Sequence, residues 1–302
     1  MMSEYMARLI CLSLASFFVV QLALGLAGCL AARGLAKAAA RMEPKLAVRL
    51  LLVLRWMPVT VALLFVAGIC VPSYLWFEPG ETGEEIGTIC LAGAALAVGV
   101  WAAALFRGSR QIVRSRRCIR EFGSGRTPVM AVTGILRTRL LISPVVMEAL
   151  DQEQLAAALA HERAHVTSRD NLKRLLLAFT PGLLPGVNGF GGVERLWARL
   201  AEWAADDHSV AGDPDRAIAL AAALVRVARL GSVPVPLASS MIEGDDLAAR
   251  VGRLLAPTPP LQVEVRRDAI AVAMLMLASI SALAAQPGTF ESVHGLLERL
   301  LQ

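Results

Sequence analysis

Three apolar runs dominate the first third of the chain, residues 9–32, 56–77 and 86–106, and Gln21 is the only long polar side chain inside them. Each approaches the ~20 residues that carry a helix across a bilayer. Hydrocarbon offers no partner to a free peptide group, so such runs can only be helices. A fourth run, 269–285, is shorter but also uncharged. Composition agrees, with 56% hydrophobic and only 18% charged residues. A fifth apolar stretch, 175–190, is broken by Pro181, Gly182, Pro185 and Gly186 and reads as a loop or interfacial element near the functional site.

Orientation follows from the basic residues. Arg33, Lys37, Arg41, Lys45 and Arg49 fill the first loop, and Arg107, Arg110, Arg114, Arg116, Arg117 and Arg120 follow the third run, whereas the loop between the second and third is acidic. Basic loops stay in the cytoplasm, which places the N-terminus outside and the block after residue 107 inside. The run Leu26-Ala27-Gly28-Cys29 imitates a lipoprotein processing box, but lipidation of Cys29 would strand both basic loops on the outer face. The other cysteines, Cys11, Cys70, Cys90 and Cys118, show neither metal-binding nor disulfide spacing.

Chemistry enters at His161-Glu162-Arg163-Ala164-His165. On a helix, positions i and i+4 share a face, so His161 and His165 can offer two imidazole nitrogens to one metal ion with Glu162 beside them. Asp151, with Gln154 three residues on, caps the start of that helix. A catalytic zinc needs a third protein ligand. The metzincin solution places a glycine three residues, and a third histidine six residues, after the second histidine; the chain has Ser168 and Asn171 there, which excludes it. His208 and His294 read as exposed, so the third ligand expected is Glu202, with Asp206 one turn on accepting a hydrogen bond from a ligand histidine. Glu162 is the expected general base and Zn2+ the expected cofactor, for peptide hydrolysis without a covalent intermediate. Arg163, Arg169 and Asn188 are candidate oxyanion donors among which the sequence does not choose.

Around the motif, 129–133 and 137–143 are β-prone and joined through Gly134, which predicts a hairpin with an exposed edge where an extended substrate could pair. Helices are expected over 193–207, from Asp213-Pro214 to Leu230, and over 239–255. The last residues, 286–302, read as an amphipathic tail on the bilayer. The fold class expected is mainly α: a polytopic membrane protein of about four spans carrying a cytoplasmic, zincin-like helical metalloprotease domain with a small β-hairpin. The boundaries are three spans in 1–106, the protease domain in 107–267, the fourth span in 268–286 and the tail in 287–302.

The segments TGILRTRLLIS, AAALAHERAHVTSRDNLKRLLL and EWAADD resemble the membrane zinc metallopeptidases of the BlaR/MecR antirepressor type, a gluzincin group, over residues 128–210. The resemblance implies His161, His165 and Glu202 as zinc ligands, Glu162 as catalytic base, Asp206 as the acid behind them, and a structural role for Arg169-Asp170-Asn171. It also implies a protein substrate, in that family often a winged-helix repressor, and an inner-membrane location. Two features depart from the family pattern: Asn188 is followed by Gly189 rather than a proline, and no penicillin-binding sensor domain follows the last span. No direct nucleic-acid contact is expected, since the +5 net charge is accounted for by membrane-adjacent arginines. A homodimer is left open. Two other readings stand beside this one: a quality-control protease of the HtpX type, and a membrane scaffold or signal transducer with an idle metal site.

Overall fold

The structure, a computed structural model, describes residues 2–39, 41–77, 86–122, 128–135, 137–231, 239–240 and 246–255. Three long helical stretches open it. Helix α1 spans Met2–Ala39 and α2 spans Pro44–Phe65, with Pro44 in the first turn where its missing N–H costs nothing. A π-helical turn, Val66–Cys70, joins α2 to α3 (Val71–Phe77), and α4 runs over Thr88–Phe122. Among the described residues, three segments are long and apolar enough to cross a membrane: Glu4–Ala32, Pro44–Trp76 and Thr88–Glu121. The expected fourth span, 269–285, and the tail lie outside the described residues.

Helix α1 packs on both α2 and α4. Small residues let backbones approach: a Cβ on Gly93 of α4 would lie 3.0 Å from the Cβ of Ala15 in α1. One layer holds Leu9, Leu12, Cys70, Tyr74 and Cys90; the next holds Phe17, Phe18, Val59, Ala62, Ala97 and Val100. Large apolar side chains such as Ile10, Val19, Leu64, Ile89 and Phe106 point outward, as a lipid-facing surface requires.

The remaining elements form the unit that carries the motif. Strand β1 (Met130–Thr133) lies between β2 (Arg139–Ile142) and β3 (Ser239–Ser240), antiparallel to both, with Val132 opposite Leu140 and Ser239. Two expectations are corrected here. The hairpin is part of a three-stranded sheet, in which β3 pairs with β1 at Ala131 and Val132 while β2 stays at the edge among the described residues. Residues 239–240, expected as helix, are strand, because pairing with β1 overrides local helix propensity. The last helix among the described residues, α10, is Leu247–Leu255.

Helices α5 (Pro144–Ala149), α6 (Gln152–Ser168), α7 (Asp170–Phe179), α8 (Gly191–Val210) and α9 (Pro214–Arg229) complete the unit. Asp151 caps α6 by accepting the N–H of Gln154 at 2.9 Å. Arg169, at φ 55, breaks the chain between α6 and α7. Met130, Val146, Ala158, Leu220, Leu224 and Val227 form the core between sheet and helices. A second core joins the unit to the spans: Ala47, Val48, Leu51 and Leu54 of α2 pack on Phe190, Val193, Trp197, Leu200 and Ala201. Helix α8 thus lies along the first half of α2.

Candidate metal centre

Helix α6 supplies His161, Glu162 and His165, all at most 1% exposed, and α8 supplies Glu202 and Asp206, at 2% and 1%. The two Nε2 atoms of His161 and His165 face each other at 3.2 Å, and Glu202 Oε2 lies 3.4 Å from the first and 3.6 Å from the second. Ligands placed tetrahedrally about 2.0–2.1 Å from a zinc ion are separated from one another by roughly 3.3 Å, so this triangle has the dimensions of three corners of such a site. The three residues are the cluster of metal-binding type among the described residues. Glu202 Oε2 accepts no well-formed hydrogen bond despite its burial, which a cation at the centre of the triangle would remedy.

Each histidine is held from behind. Asp170 Oδ2 lies 2.8 Å from His165 Nδ1, and Asp206 Oδ1 lies 3.0 Å from His161 Nδ1. A proton on His165 Nδ1, donated to Asp170, leaves its Nε2 lone pair for a metal, whereas His161 Nδ1 lies close to Asp206 without a well-formed hydrogen bond. The break at Arg169 makes the first of these contacts, because it turns the chain so that Asp170 in the first turn of α7 faces back to His165. Asn171 donates to the carbonyls of Val132 and Gly134 at 2.9 and 3.0 Å and fixes α7 against β1.

Glu162 accepts the N–H of Val132 at 3.1 Å through Oε2, while its buried Oε1 has no hydrogen-bond partner. Burial raises its pKa to about 7, against the opposing pull of His165 and His161. A carboxyl group poised near neutrality beside the ligand triangle can accept a proton from water and return it.

Arginines complete the site, and they were not singled out from the sequence. Arg250 of α10 is 2% exposed. It grips Asp206 through Nε at 2.9 Å and Nη2 at 2.6 Å, and its Nη1 is 3.2 Å from Glu202 Oε2. Arg174 of α7 donates to Glu202 Oε1 at 3.2 Å. Arg250 was legible in one respect: it falls among Leu247, Val251 and Leu254 on the apolar stripe of an amphipathic helix, where a charged group needs a buried partner.

The four buried carboxylates of Glu162, Asp170, Glu202 and Asp206 outnumber the three cations that meet them, Arg250, Arg174 and, on Asp170, Lys173 at 2.9 Å. The histidines respond: burial alone would lower His165, but Glu202 and its hydrogen bond to Asp170 push it up to about 10, and His161 is raised against its own burial by Asp206 and Glu202. Burial works against ionisation of Glu202 and Asp206, yet His165 and His161 hold Glu202 well below the usual range, and Arg250 with His161 holds Asp206 down. The site therefore demands positive charge, as protons or as a divalent cation.

Of the three oxyanion candidates, Arg163 is exposed on α6, Arg169 is exposed at the helix break and Asn188 donates to Glu194 at 2.8 Å, so none of them joins the cluster. His208 is exposed and His294 lies outside the described residues. No curated protein and no solved structure matches the chain. Residues 131–231, which include His161, Glu162, His165, Glu202 and Asp206, match the model of peptidase family M48; the match supports a metallopeptidase of that family and does not single out the antirepressor type.

Proposed function

We propose that the protein is an integral-membrane, zinc-dependent endopeptidase that hydrolyses peptide bonds of a cytoplasmic or membrane protein. The observation that carries this reading is the ligand triangle of 3.2, 3.4 and 3.6 Å with Glu162 next to it. His161, His165 and Glu202 hold the ion, and Asp206 and Asp170 orient the two imidazoles. A bound zinc ion supplies an acidified water and polarises the scissile carbonyl. Glu162 takes the proton at its unpartnered Oε1 and delivers it to the leaving amine. Arg250 keeps Asp206 and Glu202 ionised and in place.

The charge of the loops supports an inner-membrane protein with the catalytic unit facing the cytoplasm. The family match carries the peptidase chemistry and lends no support to repressor inactivation, so the substrate is proposed at the level of a polypeptide.

Metal analysis and proteolysis of detergent-purified protein test the reading, with wild type beside Glu162→Gln and Glu202→Ala. One zinc per chain is expected in wild type and in Glu162→Gln, with zinc lost in Glu202→Ala and cleavage in wild type alone. Equal cleavage by Glu162→Gln, or a wild type that takes up no zinc, would sink it.

A further inference from the structure

Residues 180–190 connect α7 to α8. Leu184 and Val187 form an antiparallel bridge around Pro185 and Gly186, with Gly186 at φ 82, so the segment is a tight hairpin. Its stem is wedged between α1 and α4. A Cβ on Gly25 of α1 would lie 2.5 Å from Leu183 Cδ2, and a Cβ on Gly99 of α4 would lie 2.8 Å from Pro185 Cγ. Both glycines belong to candidate membrane spans.

Two arginines give the depth. Arg55 of α2, 1% exposed, and Arg107 of α4 both donate to the carbonyl of Thr180. Each stands at the end of an uncharged run, 56–77 and 86–106, that is by itself about as long as a bilayer span needs. The pair therefore marks the edge of the hydrocarbon on the side of the catalytic unit. Gly99, which Pro185 touches, is just over two helical turns deeper than Arg107, roughly 12 Å.

At that depth irregular backbone must be satisfied by protein. Gln21, the one long polar residue of the first apolar run, donates from Nε2 to the Gly182 carbonyl at 2.6 Å. Leu183 N–H donates to Val187 O at 3.0 Å, and Arg107 also donates to Ala178 O at 3.1 Å. The segment 181–190 contains no charged residue. At the tip Leu184 is 41% and Val187 52% exposed, continuing the outward apolar surface of Leu26 on α1 and Val98 on α4.

We infer that residues 180–190 form a re-entrant hairpin whose tip contacts lipid acyl chains and which sets the metal centre a fixed short distance above the bilayer, so that the substrate is a membrane-anchored polypeptide cut close to its span. The distance follows from α8. Glu194 pairs with Arg55 at 2.9 Å, at the hydrocarbon edge, and Glu202 comes just over two turns later on the same helix, roughly 12 Å away. Leu200 and Ala201 pack with Ala47 and Val48 of α2, so α8 runs away from the membrane beside α2. An extended chain covers ~12 Å in about four residues. The hairpin and its depth stand independently of the chemistry; the substrate class rests on the peptidase reading.

The test uses the full chain in phospholipid vesicles, with its native cysteines replaced by alanine. A single cysteine at Leu184→Cys or Val187→Cys carries an environment-sensitive fluorophore, and Ile218→Cys, exposed on α9, serves as the water-facing control. Quenching of the 184 and 187 labels by acyl-chain nitroxide lipids but not by iodide, with the converse at 218, is expected. Iodide quenching at 187 equal to that at 218 would overturn the hairpin.

The wild-type holoenzyme is then given a single-span peptide with a mixed-sequence, unstructured juxtamembrane tail of about thirty residues, with cut positions read by mass spectrometry. Cuts concentrated about four to eight residues from the span support the inference, and cuts spread evenly along the tail overturn the substrate class. No cut anywhere counts against the peptidase reading, while the quenching result still decides the hairpin.

Discussion

At Asp206 and Arg250 one buried ion pair does two jobs, since Asp206 also faces His161 Nδ1. Arg250→Met leaves Asp206 buried without its partner and is expected to destabilise the protein by about 3–5 kcal/mol. Combining it with Asp206→Asn should cost clearly less than the sum of the two single changes in chemical unfolding, because the pair acts as a unit. Additive effects would show that the contact contributes nothing. Asp170→Asn, behind His165, is expected to weaken zinc binding about 10–100-fold, measured by competition with a chromogenic chelator. His161, Glu162 and His165 were legible because their spacing is a property of one helix. Glu202 and Asp206 share the same spacing on α8, but nothing local says that this helix faces the first. Arg250 needed a third helix folded across both, which is tertiary information.

The helices of the catalytic unit start and stop largely where their caps put them, as with Asp151 before α6 and Asp213-Pro214 before α9. What local signals missed was the break at Arg169, a non-glycine residue in the left-handed region, and the short strand at Ser239–Ser240. The loop expected over 175–190 begins only at Thr180, since 175–179 end α7; its prolines and glycines marked the rest, but its place among the spans depends on Gly25 and Gly99, far away in sequence. Another glycine of α4, Gly108, gives a test at this scale. A Cβ there would lie 2.6 Å from the ring of Phe179, the last residue of α7. Gly108→Leu is expected to destabilise by about 1–3 kcal/mol through overpacking. Thermal unfolding in detergent reads this directly, and an unchanged midpoint would mean that α4 and α7 are not in contact.

Over the whole molecule, pH and metal act through the same excess of buried carboxylates. His165 is raised from 6.5 to about 10, so without metal its contribution to stability is complete below pH 6.5 and lost as pH rises through 10. Glu162, raised from 4.5 to about 7, favours its neutral form in the fold and adds a loss between those values. Glu202 and Asp206, with depressed pKa values, contribute above their ordinary range and lose that contribution as pH falls below it. With a chelator present the melting temperature is therefore expected to be highest in mildly acidic buffer and to decline toward pH 10. Zinc affinity should run the other way, rising by up to about tenfold per pH unit for each proton the ion displaces. A zinc affinity independent of pH would mean that the imidazoles hold no protons in the metal-free site.

The order in which the parts are made adds a last consequence. Spans and ligand helices are synthesised first, and the chain folds from its N-terminus as it emerges. Arg250, which neutralises Asp206 and Glu202, lies on the last helix described, after both ligand helices. Until α10 is made, Asp206 lacks the guanidinium that grips it, whereas Glu202 already has Arg174 of α7. The charge balance of the candidate metal centre is therefore completed only after both ligand helices have been made.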